Sequence, residues 1–213
     1  MPSTCFSAAL AASVLLATPL LANPLTFAKP YVGVVGGWQS GEFEWEQGEE
    51  DGDGLAIGLV AGANILTYDI SDVINQLGPV YLVGFEVSGF VDGPSAEGVC
   101  GSGWCEAEAD YSVGLALRAG IAWDRALMFG KIGYRSTDYE IKTSIGGQSY
   151  SDDLRIGTAV IGAGGDFQIA GNLLGRLEIE YAIGADDDYE LAGQEGSLDA
   201  GYGGVRAGLL YQF

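Results

Sequence analysis

The sequence predicts an all-β fold, an eight-stranded antiparallel up-and-down transmembrane β-barrel. Three observations predict it. Apolar and small or polar side chains alternate along repeated stretches of the chain, as in strands whose successive side chains point to opposite faces. Long acidic connections alternate with short ones, as in a barrel with loops on one side of a membrane and turns on the other. Charged side chains recur on one face of the strands, which suits the interior of such a barrel.

Eight segments carry the alternating pattern, and the clearest is 55–65. There Leu55, Ile57 and Leu59 point one way, while Ala56 and Gly58 point the other. An even number of strands is expected for a bacterial single-chain barrel. In order, the predicted strands are 31–39, 55–65, 80–91, 111–123, 128–136, 156–167, 176–183 and 202–213.

The connections after the first, third, fifth and seventh strands are rich in carboxylates. The others include short turns at Asp124-Arg125 and at 170–172, and a longer link at 67–79 with room for one helical turn. Long loops of an outer-membrane barrel face outward, so both chain ends are predicted on the periplasmic side. The acidic connections are 42–53 with seven carboxylates, 92–110 with five, 138–153 with four and 186–199 with six.

Charged residues within the strands decide which face is the interior. An arginine facing lipid at the bilayer midplane costs roughly 2–4 kcal/mol, whereas the opposite strand face is rich in Leu, Ile, Val and aromatic residues. An eight-stranded barrel has an interior just wide enough for side chains, and buried charges need partners. We therefore predict a salt-bridged network that fills the lumen, with a conductive channel as the alternative. The predicted network is Glu86, Arg118, Lys131, Arg135, Asp166, Arg176, Glu178, Glu180 and Arg206.

Aromatic residues near the strand ends are typical of interfacial girdles, although aromatics favour any strand. The predicted girdle residues are Tyr31, Trp38, Tyr81, Tyr111, Trp123, Phe129, Tyr134, Phe167, Tyr181 and Tyr211.

The N-terminus reads as a signal peptide over residues 1–22, followed by a barrel domain over 23–213. The apolar run that ends at Ala22 is too short to span a bilayer convincingly. Cleavage is expected after Ala22 or as late as Ala28, where Thr26 and Ala28 give a small-x-small pattern. No later segment has the sequence of a membrane-spanning helix. If the protein lies in a membrane, it must therefore be a closed barrel, because only helices and closed barrels satisfy their backbone groups in lipid.

The amino-acid composition excludes several classes of function for this protein. The chain has 213 residues, of which 29 are acidic and 9 basic, and its net charge of −20 would repel nucleic acid. A hydrophobic fraction of 48% argues against disorder. There is no histidine, which excludes hydrolases of the Ser-His type and histidine metal sites. We therefore predict no catalytic residues, no cofactor and no metal centre.

Several segments together resemble a known family. PYVGVVGGW, VGFEVSG, LALRAGIAWDRALMFGKIGY and RLEIEYAIG are similar, in order and spacing, to the OmpA-like transmembrane domain and to opacity-type, "porin family" outer-membrane proteins. The final GVRAGLLYQF resembles the signal read by the barrel-assembly machinery, carried here by Leu209, Tyr211 and Phe213. The resemblance implies a bacterial outer-membrane location, in contact with outer-membrane lipid and lipopolysaccharide. Since the pattern runs to Phe213, we expect no peptidoglycan-binding domain after it.

Cys100 and Cys105, in CGSGWC, are predicted to form a disulfide in the second long loop, because an exported chain meets an oxidising compartment. A metal clip or free thiols are the alternatives. The acidic clusters at 49–53 and 186–188 could bind divalent cations through oxygen ligands, although a solvated acidic coat is the simpler interpretation.

The predicted function is therefore a non-enzymatic outer-membrane barrel that supports envelope integrity and carries acidic extracellular loops. A narrow, porin-like pore and a loop-mediated adhesin are the alternatives. A soluble lipocalin-like carrier is disfavoured, because five of the nine basic residues lie on one face of the strands, whereas the surface of a soluble barrel would scatter them widely.

Overall fold

The structure, a computed structural model, describes residues 27–45, 48–69, 79–91, 93–100, 103–145, 148–183, 186–191 and 194–213. The described part of the chain contains no helix that is long and apolar enough to cross a membrane. The link predicted to hold a helical turn falls mostly outside the described residues.

The described chain is composed of ten antiparallel strands. Eight form the wall of the barrel, and the short β4 and β9 lie in the hairpins beyond it. The strands are β1 (Pro30–Trp45), β2 (Gly48–Asp69), β3 (Val80–Val91), β4 (Ser95–Cys100), β5 (Gly103–Trp123), β6 (Ala126–Ile145), β7 (Gln148–Ala170), β8 (Leu173–Ile183), β9 (Asp186–Leu191) and β10 (Gln194–Gln212).

The sheet closes on itself, which confirms the predicted eight-stranded barrel. Around the ring the order is β1, β2, β3, β5, β6, β7, β8 and β10, and β10 pairs with β1 from Tyr31↔Gln212 to Trp45↔Leu198. Each wall strand therefore has a hydrogen-bonded neighbour on both sides, which leaves no strand edge toward lipid.

The acidic connections differ from the prediction, because most of their residues continue the strands instead of forming loops. β6 and β7 remain paired out to Ile145↔Gln148, and β1 and β2 out to Trp45↔Gly48. Two further segments of predicted loop are β4, which pairs with β5, and β9, which pairs with β10. Their acidic composition indicated loops, but a hairpin that stands in water can carry polar side chains on both faces and still pair through its backbone.

The outer wall carries an apolar belt, and its residues alternate with buried ones along each strand. Leu59 is 62% exposed and Leu117 63%, values that would be costly in water and suit a lipid surface. The belt comprises Val32, Val34, Leu55, Ile57, Leu59, Val83, Phe85, Val87, Val113, Leu115, Leu117, Ile121, Ile132, Ile161, Leu177, Ile179, Val205 and Leu209.

Two of the predicted girdle residues lie inside the barrel. Tyr31 and Phe129 are buried, whereas the other eight are exposed on the outer wall. Phe129 shares its strand face with Lys131, and Tyr31 pairs with the inward-facing Gln212. Side chains on a strand alternate strictly between faces, so both assignments as interfacial residues were wrong.

The short turns lie at the end of the barrel opposite the long hairpins. Asp124 and Gly171 each open a two-residue connection, and each has a φ of 50°. This left-handed conformation is easy for glycine and tolerated by aspartate. We call this the short-turn end; the predicted topology places it in the periplasm.

A compact apolar cluster fills the barrel at the short-turn end. Phe27, just before β1, belongs to this cluster and is 1% exposed. The other members at this end are Val80, Leu82, Ala122, Leu127, Leu174 and Leu210, and the same cluster continues along the barrel through Tyr31, Val35, Ala56, Val60, Phe90 and Phe129. The lumen is thus packed with apolar side chains at this end and with charged side chains above it.

Candidate functional site: the charged lumen

All nine charged residues that the sequence places in the lumen are buried in the barrel. They come from six different strands, and their exposed fractions range from 1% for Arg176 to 9% for Lys131. Five are cations and four are carboxylates, so the set as a whole is nearly balanced. It is divided into two groups at different heights.

The lower cluster lies next to the apolar cluster at the short-turn end and comprises Glu86, Arg118, Asp166 and Arg176, with the hydroxyl of Tyr31. Arg176 donates from Nε to Asp166 Oδ1 at 2.7 Å and pairs through Nη1 with Glu86. Arg118 donates from Nη2 to Asp166 Oδ2 at 2.8 Å. Two guanidinium groups thus share two carboxylates, an arrangement that satisfies charges in a place without access to water.

Tyr31 completes the lower cluster. Its hydroxyl donates to Glu86 Oε2 at 2.7 Å and accepts from Arg118 Nη1 at 2.5 Å. This position in the lumen differs from the interfacial girdle position that its place near a strand end predicts. Tyr31 pairs with Gln212, which faces inward on the last strand, and this pairing indicates that Tyr31 also faces the lumen.

The upper cluster lies nearer the long hairpins and comprises Lys131, Arg135, Glu178, Glu180 and Arg206. Lys131 Nζ lies 3.0 Å from Glu178 Oε1 and 2.8 Å from Glu180 Oε2. Arg206 Nη1 lies 2.8 Å from Glu180 Oε2. Arg135 Nη1 donates to Glu180 Oε1 at 2.5 Å and to the hydroxyl of Tyr202 at 3.0 Å. Three cations therefore surround two carboxylates, which leaves one positive charge in excess.

The two clusters contact each other, and an aromatic ring flanks each of them. Lys131 Nζ lies 3.7 Å from Glu86 Oε1, and Arg176 Nη1 lies 3.9 Å from Glu178 Oε2. Beside the lower cluster, the ring of Phe129 lies 3.8 Å from the Arg118 guanidinium carbon. Beside the upper cluster, the centre of the Phe90 ring lies 4.3 Å from the guanidinium carbon of Arg206. Stacking on an aromatic face stabilises a guanidinium that has little contact with water.

Two small cavities lie among the described residues of the lumen. A cavity of about 10 Å³ lies among Glu86, Ser88, Lys131, Arg135 and Glu180. A second cavity of about 10 Å³ lies nearer the long hairpins, among hydroxyl and amide groups that include Gln39, Ser112 and Thr137. Each is about large enough for one water molecule.

A different group of charges lies on the outer wall, just beyond the apolar belt on the side of the long hairpins. Arg155 donates from Nε to Asp138 Oδ1 at 2.5 Å and from Nη2 to the hydroxyl of Tyr111 at 3.2 Å. The hydrogen bond from Arg155 lowers the pKa of Asp138, and the hydrogen bond with Asp138 raises the pKa of Tyr111. Lys142 lies 3.1 Å from Glu140, and that hydrogen bond raises the pKa of Lys142.

Divalent cation binding by the acidic hairpins stays a prediction. Among the residues that the structure describes, no three His, Cys, Asp or Glu side chains come together as a metal site. Cys100 and Cys105 lie on the paired strands β4 and β5, but their side chains fall outside the described ones, so the disulfide also stays a prediction.

Leu209, Tyr211 and Phe213 all project outward from the last strand, as the alternation predicts. They are 55%, 51% and 64% exposed, and the rings of Tyr211 and Phe213 meet edge to face with centroids 5.4 Å apart. The three side chains form an apolar strip on the lipid side of β10, which is the form expected of an assembly signal; recognition itself stays a prediction.

No protein-family model matches the chain, and no curated protein matches it. Among solved structures, the outer membrane protein OprG from Pseudomonas aeruginosa is 11% identical, with 87% of this chain and 96% of that chain covered and a TM-score of 0.58. Neisserial surface protein A is 14% identical, with 86% and 97% covered and a TM-score of 0.44. The outer membrane protease OmpT from Escherichia coli is 9% identical, with 88% and 98% covered and a TM-score of 0.47.

The likeness to OprG shows the fold, whereas the other two TM-scores are too low to carry an argument. The chain has the fold of a bacterial outer-membrane β-barrel, so the OmpA-like resemblance is confirmed at the level of fold. The apolar belt and the charged lumen have the polarity that such a barrel requires in lipid. The predicted outer-membrane location agrees with both.

Proposed function

We propose that this outer-membrane barrel is a non-enzymatic structural protein that supports envelope integrity and carries acidic hairpins on the cell exterior. The observation that carries the proposal is the lumen, where nine charged side chains at most 9% exposed are joined by ion pairs across six strands. Such a network links opposite walls of the barrel and occupies the space that a solute would need.

The narrow pore is the principal alternative, and ion conductance distinguishes the two. Purified protein in a planar bilayer is expected to give no stable current steps, because the two small cavities described in the barrel hold about one water molecule each. Reproducible steps from the unaltered protein would contradict the sealed barrel. The variant Lys131→Ala with Glu180→Ala removes both members of a 2.8 Å pair and is a positive control, since it is expected to open a path.

The non-enzymatic assignment rests on chemistry. The sequence contains no histidine, and the adjacent carboxylates Glu178 and Glu180 are both held by Lys131 and Arg206. A carboxylate that is fixed in place by cations is a poor proton acceptor for acid–base catalysis. Hydrolysis of peptide, ester and phospholipid substrates by the pure protein is expected to stay at background.

Loss of the gene in its native host distinguishes the structural role from adhesion. Cells without the protein are expected to become more sensitive to detergent. A form whose β1–β2 and β6–β7 hairpins are cut back to the barrel rim should restore resistance if the barrel itself supports the envelope. A shortened form that fails to restore resistance, while assembling normally, would instead favour a role carried by the hairpins.

A further inference from the structure

The segment just before β1 enters the barrel at the short-turn end. Phe27 is 1% exposed, and its ring belongs to the apolar cluster with Leu127, Leu174 and Leu210. Aromatic side chains bury a large apolar area, so Phe27 occupies a substantial part of this opening.

The backbone of the same segment is also fixed. The carbonyl oxygen of Phe27 accepts a hydrogen bond from Asn64 Nδ2 at 3.0 Å, and the carbonyl oxygen of Lys29 accepts one from the Asn64 backbone at 3.5 Å. Asn64 faces the lumen and is 6% exposed. A buried amide needs such partners, and the segment before β1 supplies the hydrogen-bond acceptor for the Asn64 side chain on β2.

These contacts bear on where the signal peptide is removed. Thr26 and Ala28 fit the small-x-small pattern, whereas a cut after Ala22 places the larger Leu20 three residues before the new N-terminus. A cut after Ala28 would make Lys29 the first residue. The barrel would then lose both the Phe27 ring and the carbonyl group that satisfies Asn64.

We infer that signal cleavage follows Ala22, and that the mature chain keeps Phe27 as a stopper that closes the periplasmic mouth of the lumen. The inference rests on the predicted signal peptide and extends the proposed sealed barrel by assigning the residue that seals its lower end. Cleavage precedes folding during export, so the retained segment is free to enter the barrel as the wall forms.

The first test is the mass and N-terminal sequence of the protein isolated from outer membranes. A mature chain that begins at Asn23 supports the inference, and one that begins at any later residue overturns it. This result does not depend on conductance. A conducting barrel that begins at Asn23 would contradict the sealed-barrel proposal alone, and a silent barrel that begins at Lys29 would contradict this inference alone.

The second test measures burial of residue 27 by thiol labelling. Phe27→Cys and Pro30→Cys are each made in a background with Cys100→Ser and Cys105→Ser, and folding is checked first by gel mobility. Pro30 is exposed and three residues away, which makes it a matched control. A maleimide is expected to react at least tenfold more slowly with Phe27→Cys than with Pro30→Cys. Equal rates in folded protein would show that residue 27 is not a stopper.

Discussion

Arg176 has the most contacts among the charged residues of the lower cluster. Its guanidinium donates to both oxygens of Asp166 and pairs with Glu86, and it lies over the rings of Tyr31 and Phe129. Its removal would leave two buried carboxylates with Arg118 as the principal cation beside them.

Replacement of Arg176 by methionine is expected to destabilise the barrel by about 3–5 kcal/mol, because breaking a buried ion pair leaves its partners uncompensated. The measurement is urea unfolding of the barrel in lipid vesicles, followed by tryptophan fluorescence. Arg155→Met is the control: Arg155 pairs with Asp138 on the exposed outer wall, where ion pairs contribute little. Similar losses for the two variants would contradict the buried network.

The double change Arg176→Met with Asp166→Leu tests whether charge compensation is the cause. It leaves Arg118 with Glu86, a balanced pair. Replacing both members of a buried pair by apolar groups is commonly far less costly than removing one. The double variant is therefore expected to be more stable than Arg176→Met alone. If it is less stable, packing and not charge accounts for the role of Arg176.

The outer-wall pair gives a prediction about pH. The hydrogen bond from Arg155 lowers the pKa of Asp138 below its ordinary 3.8, so the stabilisation from this pair is complete above that pH and is lost as the pH falls through the lowered pKa. Carboxyl NMR titration of Arg155→Gln should show the pKa of Asp138 rising toward 3.8. Lys142→Gln, which alters the contacts to Glu108 and Glu140, should leave the pKa of Asp138 unchanged.

For single residues, the alternation of side chains along the strands identified the charged residues of the lumen but not all of their neighbours. Charged residues reveal the inner face directly, because they cannot face lipid. Tyr31 and Phe129 carry no such constraint, since aromatic rings are equally suited to the interface and to stacking on arginine. Phe27 lies before the first strand, where no alternation exists to indicate its direction.

Among the elements, the short turns have the most specific backbone requirements. Gly171 has a φ of 50°, and a Cβ added there would meet no atom within 4 Å. Gly171→Ala is therefore expected to cost about 1–2 kcal/mol through backbone strain alone. Gly165→Ala is the matched control, since Gly165 has an ordinary φ and its added Cβ would reach only the Leu127 carbonyl at 3.7 Å. Equal effects in urea unfolding would contradict the assignment of strain.

Hairpin length is the property of the elements that could not be predicted. The belt portions of all eight wall strands follow from apolar alternation, because one face meets lipid and the other meets the lumen. Beyond the belt both faces meet water, and alternation disappears from the sequence while backbone pairing continues, as in the partners Glu140↔Asp153 and Glu108↔Glu140. The amino-acid composition beyond the belt therefore reflects exposure to water and does not indicate whether the backbone is paired.

For the molecule as a whole, the closed wall predicts resistance to denaturation by detergent. Unheated protein in sodium dodecyl sulfate should migrate differently from boiled protein, because the hydrogen-bonded ring persists until it is heated. Extraction from membranes should require detergent, as the exposed belt implies. Release by salt or alkali alone would contradict the membrane location.

The charge of the molecule is strongly divided between inside and outside. The lumen set carries one excess positive charge, so the rest of the chain carries slightly more than the whole net charge of −20. The long hairpins hold most of those carboxylates. Their mutual repulsion is screened by salt, with a Debye length of about 8 Å at physiological ionic strength.

The pairing of β1 with β10 has a consequence for biogenesis. The first and last wall strands meet along fifteen residue pairs, and the Phe213 backbone donates to the Pro30 carbonyl at 3.2 Å. The ring therefore cannot close until β10 has been synthesised and exported. Until then the chain has two unpaired edges, which are open to pairing with other chains. Contacts between such distant parts of a sequence form slowly, so ring closure is expected to be a late step in the assembly of this barrel, and a chain that stops short of β10 leaves a sheet and not a closed ring.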